Sequence, residues 1–414
     1  MRYTRSTMLR ELSSLQKRLL TSFFLFSLAS PMASIYSNTF LWRQDKDPIT
    51  LAVFNIGTFI GVTLGFFANA LLLRLLPSGR LYTLGCVLQG LVPLVLVLLG
   101  AQANAYAFVL GIALGCSMGL FWGNRNTLTS KTSEGPNRYR FVSIETSMVL
   151  TAGVIAPLLV GWFITLSESL GTLTVQSAYL TTSVLGLVLL AISGALLWSV
   201  DSEPYKTKQF WIKHPSALWK SQRLLEVING ISDGMSSVLP LVIILLFLGQ
   251  ESAVGTVKGL AALLSGSVIF FIRNYVKHHH HARLFGIWIA FNLTGAVLFA
   301  VLQSPFGALC FFVLGGIVSS FRWSSFTSVM YEVVDQEMRS SKIHRFVYLL
   351  DRECFLNLGR VMGLCLLVVL YTQLPTLFVQ YGLILTTIIP LPLLLLLQSI
   401  TKRLGETPIE RDVF

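Results

Sequence analysis

Residues 81–100 read LYTLGCVLQGLVPLVLVLLG, an uncharged stretch of twenty residues. A helix of about 20 apolar residues spans the hydrocarbon core of a bilayer. The chain contains twelve such stretches: 18–41, 50–73, 81–100, 105–128, 139–164, 176–199, 222–248, 252–276, 283–302, 305–331, 343–371 and 377–400. They are continuously apolar and do not alternate as the strands of a membrane β-barrel do. The sequence therefore predicts an all-α integral membrane protein with twelve transmembrane helices.

Charge is scarce and unevenly placed along the chain. Only 12% of the residues are charged and 54% are hydrophobic, which is too little charge for the surface of a soluble protein of 414 residues. Of the 31 lysines and arginines, 24 lie in the two tails and the even-numbered loops. Cytoplasmic loops carry such an excess, so we expect an inner or plasma membrane protein with both termini in the cytoplasm. The lipid bilayer, and not nucleic acid, is the expected partner of this basic chain.

Two tripeptides recur at the same spacing. Arg18-Leu19-Leu20 returns as Arg223-Leu224-Leu225, and Arg140-Phe141-Val142 as Arg345-Phe346-Val347, both 205 residues later. Each copy begins an apolar stretch, which indicates a duplicated membrane unit. A polar, basic segment lies between spans six and seven. We predict an N-terminal six-helix bundle over 1–199, a cytoplasmic linker over 200–221, and a C-terminal six-helix bundle with a tail over 222–414.

Two pseudo-symmetric six-helix halves, a central linker and internal termini resemble the major facilitator superfamily. The loop after span two is similar to a motif of that family in Gly65, Arg74, Gly79 and Arg80, but Asn69 precedes the arginine where the family's Asp-Arg pair would need an acid. The resemblance implies a secondary transporter in which spans one, four, seven and ten line the central path.

Polar side chains inside the spans mark the candidate site, because an intramembrane charge is costly unless it faces a cavity or a partner. Two spans repeat one pattern of helical spacing: Glu226, Asn229 and Asp233 in span seven, and Glu353, Asn357 and Arg360 in span eleven. Asp233 and Arg360 are the deepest charges. Since an arginine keeps its charge, Arg360 needs Asp233, Glu353 or an anionic ligand as partner. Asp233, Arg360, Glu353, Asn229 and Asn357 are the predicted substrate or proton-coupling residues.

A second group of intramembrane residues is open to two interpretations. Its members lie in the predicted cytoplasmic halves of their spans: Arg125, Trp122, Glu145, Glu226, Arg322, Trp323, Asp351 and Arg352. They have gate or packing roles, as ion pairs that hold the two halves shut, or they have substrate or proton roles. In spans four and ten a tryptophan beside an arginine could hold an organic anion by stacking and by a bidentate grip.

Other site chemistries find little support in the sequence. The five cysteines lie inside spans without paired spacing, and His278–His281 reads more simply as a solvated loop than as a metal site. We expect no metal, no cofactor and no enzymatic activity.

The predicted function is proton-coupled movement of a small organic solute, with an anionic solute favoured, by a monomer. The alternatives are a proton-driven exporter of drugs or lipophilic cations, and a sensor or lipid-handling protein that shares the fold without transporting.

Overall fold

A computed structural model describes residues 12–132, 138–200, 210–272, 281–341 and 343–406. These residues form α-helices and no strand. The helices are α1 Ser14–Asp45, α2 Pro48–Leu72, α3 Ser78–Leu99, α4 Ala107–Thr132, α5 Arg138–Ser169, α6 Val175–Ala195, α7 Ala217–Phe247, α8 Glu251–Ile272, α9 His281–Leu302, α10 Pro305–Ser340, α11 Arg345–Gln373, α12 Pro375–Ile388 and α13 Pro392–Glu406.

The helix count agrees with twelve membrane crossings. The described residues contain 11 stretches long and apolar enough to cross a bilayer, and the stretch Ser78–Thr129 of 52 residues combines α3 and α4 through the 3-10 turn Gly100–Tyr106. The twelfth predicted span is interrupted at Pro390, between α12 and α13, because proline lacks the amide donor that a continuous helix needs. The predicted all-α membrane fold is confirmed.

The chain folds into two compact units. Unit 1 is Met1–Lys206 with Gln250–Gly259, and unit 2 is Thr207–Gly249 with Leu260–Phe414. Helix α8 therefore begins in unit 1 and ends in unit 2. The predicted boundaries at a linker over 200–221 stay a prediction, and residues 201–209 of that linker lie outside the described ranges.

In unit 1, glycines bring the backbones of α2 and α4 together. A Cβ atom added to Gly115 would lie 2.6 Å from the amide nitrogen of Val62, and one added to Gly119 would lie 2.6 Å from that of Phe66. No side chain fits at such distances, so glycine is required at both positions. These two glycines of α4 therefore serve close helix packing.

The repeated arginines occupy equivalent helix starts but bind different groups. Arg18 of α1 donates to the carbonyl of Leu196 at 2.5 and 3.0 Å, beyond the last turn of α6. Arg223 of α7 instead donates to both carboxylate oxygens of Asp351 on α11, at 2.6 and 2.7 Å. At this position each unit holds a neighbouring helix, unit 1 through a backbone carbonyl and unit 2 through a buried ion pair.

Candidate functional site

Close contact between α7 and α11 fixes the position of the deepest charges. A Cβ atom on Gly234 would lie 2.8 Å from the Cα of Arg360, and one on Gly363 would lie 3.0 Å from the Cα of Ile231. Gly230 and Gly359 meet in the same way, with a Cβ on Gly230 only 2.9 Å from the Cα of Gly359. The two backbones therefore touch beside Asp233 and Arg360.

Five predicted residues meet at this crossing, and we call them the Asp233 cluster: Asp233, Arg360, Asn357, Arg322 and Asn229. Arg360 donates from Nε to Asp233 Oδ2 at 2.7 Å and from its other end to Asn357 Oδ1 at 3.0 Å. Arg322 lies 3.9 Å from Asp233 Oδ1 and donates to Asn229 Oδ1 at 2.7 Å. The predicted partnership of Arg360 with Asp233 is thus observed. Two guanidinium groups share one carboxylate.

The aromatic neighbour of Arg322 differs from the expectation. The Arg322 guanidinium lies 5.0 Å from the ring centre of Trp288 on α9, whereas Trp323 is 69% exposed. Consecutive residues on a helix point about 100° apart, so Trp323 cannot face the same partner as Arg322. Trp323 thus lies apart from the Arg322 guanidinium, and a role of Trp323 in binding substrate stays a prediction. In span four the spacing of three residues does allow contact, and Arg125 lies 5.0 Å from the Trp122 ring.

A second group lies on the same two helices, and we call it the Glu226 cluster: Glu226, Gln222, Arg352 and Glu353. Arg352 donates from Nε to Glu226 Oε1 at 2.9 Å and from its other end to Glu353 Oε1 at 2.7 Å. Gln222 also donates to Glu226 Oε1, at 2.9 Å. Here one guanidinium serves two carboxylates, which reverses the charge ratio of the Asp233 cluster.

Two further pairs from the second group of candidates are separate from these clusters. Asp351 is fully buried and accepts from Arg223 and from the indole nitrogen of Trp219 at 2.7 Å. Arg125 of α4 pairs with Glu145 of α5 in unit 1. Both carboxylates are held by protein donors, and whether these pairs act as gates or only in packing stays a prediction.

Sequence reasoning missed one network in unit 1, which we call the Arg43 cluster: Arg43, Glu168, Glu251 and Tyr179. Arg43 binds Glu251 at 2.6 and 2.7 Å and Glu168 at 2.8 and 3.2 Å. Tyr179 donates to Glu251 at 2.6 Å. Arg43 lies in the last turn of α1 and Glu251 begins α8, at the helix ends predicted to be external. Because 208 residues separate Arg43 from Glu251, no local sequence pattern predicts their pairing. The acidic residues at two helix ends were the one sign of such a network in the sequence.

The first turns of α8 also pack tightly on α5. A Cβ atom on Gly161 would lie 3.0 Å from the carbonyl carbon of Glu251, and one on Gly255 would lie 3.0 Å from that of Pro157. The glycine-proline segment of α5 thus makes room for the start of α8. Within the described ranges there is no group of His, Cys, Asp and Glu that could hold a metal ion. Of the histidine run, only His281 is described, and its carbonyl accepts from Ser325 at 3.0 Å.

Two bacterial proteins resemble the chain in sequence, and no family model matches it. The chain is 24% identical over 359 residues to the uncharacterized protein YqgE of Bacillus subtilis (strain 168), which covers 85% of this chain and 81% of that protein. It is 27% identical over 139 residues to an uncharacterized protein in the sodM 3'region of Geobacillus stearothermophilus, which covers 34% of this chain and 65% of that protein.

Solved transporter structures share the fold. A POT family transporter in complex with a thioalcohol conjugated peptide aligns with a TM-score of 0.69 at 13% identity, over 94% of this chain and 96% of that chain. The nucleoside transporter NupG aligns with a TM-score of 0.63 at 14% identity, over 96% of this chain and 100% of that chain. The chain is therefore a multi-pass membrane protein with the major facilitator fold.

Proposed function

We propose that this protein is a non-enzymatic secondary transporter that moves a small organic solute with an anionic group and couples this movement to protons. One observation carries the proposal: Arg322 and Arg360 share a single carboxylate in the Asp233 cluster. Arginine does not lose its charge in proteins, so within the cluster two positive charges face one carboxylate. The Asp233 side chain is 36% exposed, which leaves room for a solute to reach it.

Competition for the arginines supplies the coupling. A carboxylate or phosphate on the solute accepts from guanidinium donors in the same way as Asp233 does. When the solute occupies those donors, Asp233 loses its counter-charges and can accept a proton. Solute and proton then bind together and leave together as the protein alternates between its two access states. Asn229 and Asn357 hold the two guanidinium groups in position for this exchange.

The proposal also covers the orientation of the protein in the membrane and its oligomeric state. The charge asymmetry of the loops supports cytoplasmic termini in an inner or plasma membrane, and two six-helix domains over 1–199 and 222–414 support alternating access by a monomer. The lipophilic-cation alternative would rely on Asp233 and Glu145 as acidic attractors. Each of these acids already pairs with an arginine, so the observed charges favour an anion.

Transport by purified protein in proteoliposomes tests this proposal. Thermal-shift screening against carboxylates, phosphate esters and tetraphenylphosphonium would first identify a solute. Its flux under an imposed proton gradient is then measured for wild type, Arg360→Gln and the control Arg345→Gln, whose Asp335 partner is 55% exposed. We expect Arg360→Gln to lose flux and the control to keep it. Displacement by tetraphenylphosphonium alone would support the exporter, and binding without flux would support the sensor.

A further inference from the structure

The Glu226 cluster contains buried acceptor atoms that the proposed solute exchange does not use. Glu226 is 2% exposed and Gln222 is 1% exposed. Glu226 Oε1 accepts from Arg352 and Gln222, but Glu226 Oε2 has no hydrogen-bond partner among the residues that the structure describes. Gln222 Oε1 also has none within those residues. Two acceptor atoms on adjacent turns of α7 thus lack a donor.

The balance of charges around Glu226 also indicates that this cluster lacks a compensating group. Arg352 is the one cation that bonds to this cluster in the described ranges, and it is shared with Glu353. Arg352 is also faced by Glu353 on α11 and by Tyr331 on α10, and Tyr331 acts on it electrostatically. Gln222 on α7 is neutral. With both acids ionised, the cluster carries one unmatched negative charge in a buried place, which is costly without a compensating group.

We propose that the Glu226 cluster is a proton-binding site, with the proton on Glu226, and that it is distinct from the solute-binding Asp233 cluster. A proton on Oε2 turns the unpartnered acceptor into a donor and balances the excess negative charge. Glu353 is less suited to carry the proton, because its side chain is 16% exposed whereas that of Glu226 is 2% exposed. Asp233 is poorer still in the absence of solute, since two arginines face it.

Arg352 connects the two clusters. It bonds to Glu226 and also acts electrostatically on Asp233. When Glu226 takes up a proton, Arg352 keeps only Glu353 as an ionised partner, so more of its positive field is available to an anion near Asp233. Linkage is reciprocal, so the anion in turn favours the proton. This part rests on the proposed function and specifies it as symport of an anion with at least one proton.

Infrared difference spectroscopy of the purified protein tests the proton site without any solute. As the pH is raised, wild type should lose a carboxylic acid C=O band from Glu226. The band should be absent in Glu226→Gln and retained in Asp233→Asn and in the control Asp335→Asn, which removes an exposed acid from unit 2. A band that persists in Glu226→Gln overturns the assignment.

Two further measurements cover the remaining outcomes. If Glu226→Gln does not fold, Arg352→Gln should enlarge the acid band, because it leaves both acids of the cluster without their cation; an unchanged band overturns the proposal. In proteoliposomes, Glu226→Gln should keep solute counterflow and accumulate less solute under a proton gradient, because only the proton on Asp233 then moves with the solute. Accumulation equal to that of wild type overturns the coupling role. If wild type moves no solute, the proposed function fails, but the infrared result still decides whether Glu226 binds a proton.

Discussion

The Arg43 cluster gives the most quantitative prediction, because its two acids differ sharply in burial. The Glu251 side chain is 1% exposed and that of Glu168 is 37% exposed, while both bind Arg43. Helix α8 begins in unit 1 and ends in unit 2. We therefore expect the cluster to open and close if α8 changes its contacts with α1 and α5 during transport. The perturbation is Glu251→Gln, and Glu168→Gln is the matched control.

The magnitude follows from burial and geometry. Removing one partner of a buried ion pair costs about 3–5 kcal/mol, and we expect about 3 kcal/mol for Glu251→Gln because Arg43 keeps Glu168. Removing a partner that is partly exposed costs about 0–1 kcal/mol. Since about 1.4 kcal/mol corresponds to a factor of ten, Glu251→Gln should raise the population of the opened state roughly 100-fold, and Glu168→Gln at most about fivefold.

Cysteine labelling measures this population. Val254, one turn after Glu251, is fully buried, so a cysteine placed there in a variant without the five native cysteines reports opening. Its rate of reaction with a membrane-impermeant maleimide should follow the two predicted factors. Equal rates for the two glutamate variants would refute the burial argument. If both variants were labelled at the wild-type rate, the cluster would not open when the protein changes between its access states.

Three further predictions concern stability. Gly234→Ala should lower the melting temperature at a cost of about 1–3 kcal/mol from overpacking, whereas Gly286→Ala, whose Cβ would have a nearest neighbour at 3.7 Å, should have little effect. Arg223→Gln should lower the free energy of unfolding by about 3–5 kcal/mol, because it leaves buried Asp351 with an unpaired charge. Arg18→Gln should lower it by only about 1 kcal/mol, because it removes hydrogen bonds to a carbonyl. Denaturant unfolding measures both. Burial lowers the pKa of His344 below its usual 6.5, and its Nδ1 accepts from the amide of Phe346. The unfolded chain thus binds the proton more readily, so stability should fall as the pH drops through about 6.5, and His344→Asn should remove that dependence in melting curves recorded against pH.

The membrane spans could be predicted because burial in lipid requires long apolar helices. Predicted span 50–73 corresponds to Pro48–Leu72, and 105–128 to Ala107–Thr132. The helix break at Pro390 could be expected from the proline itself, whereas a hydropathy profile does not reveal it. The spacing within each span was informative: Asp233 shares one face of α7 with Glu226 and Asn229, and Arg360 shares one face of α11 with Glu353 and Asn357.

Contacts between distant helices could not be predicted in the same way. Arg322 stacks on Trp288, and Arg43 pairs with Glu251, through packing that joins residues far apart in the chain. Charge counting within a span cannot identify which helix lies opposite. The spacing Gly230-Gly234 and Gly359-Gly363 was a readable signal for one such contact, because glycines four residues apart allow helix backbones to touch.

The glycine contact of α7 and α11 has a consequence for how the two halves of the chain differ. The positions 205 residues earlier are Leu25 and Ala29 in α1, and Val154 and Leu158 in α5, so the first copy has side chains where the second has bare backbone. A helix pair without intervening side chains has few alternative packings and moves as one stiff body. The second half thus has a rigid frame on which both charged clusters are mounted. The corresponding helix pair in the first half has side chains at these positions.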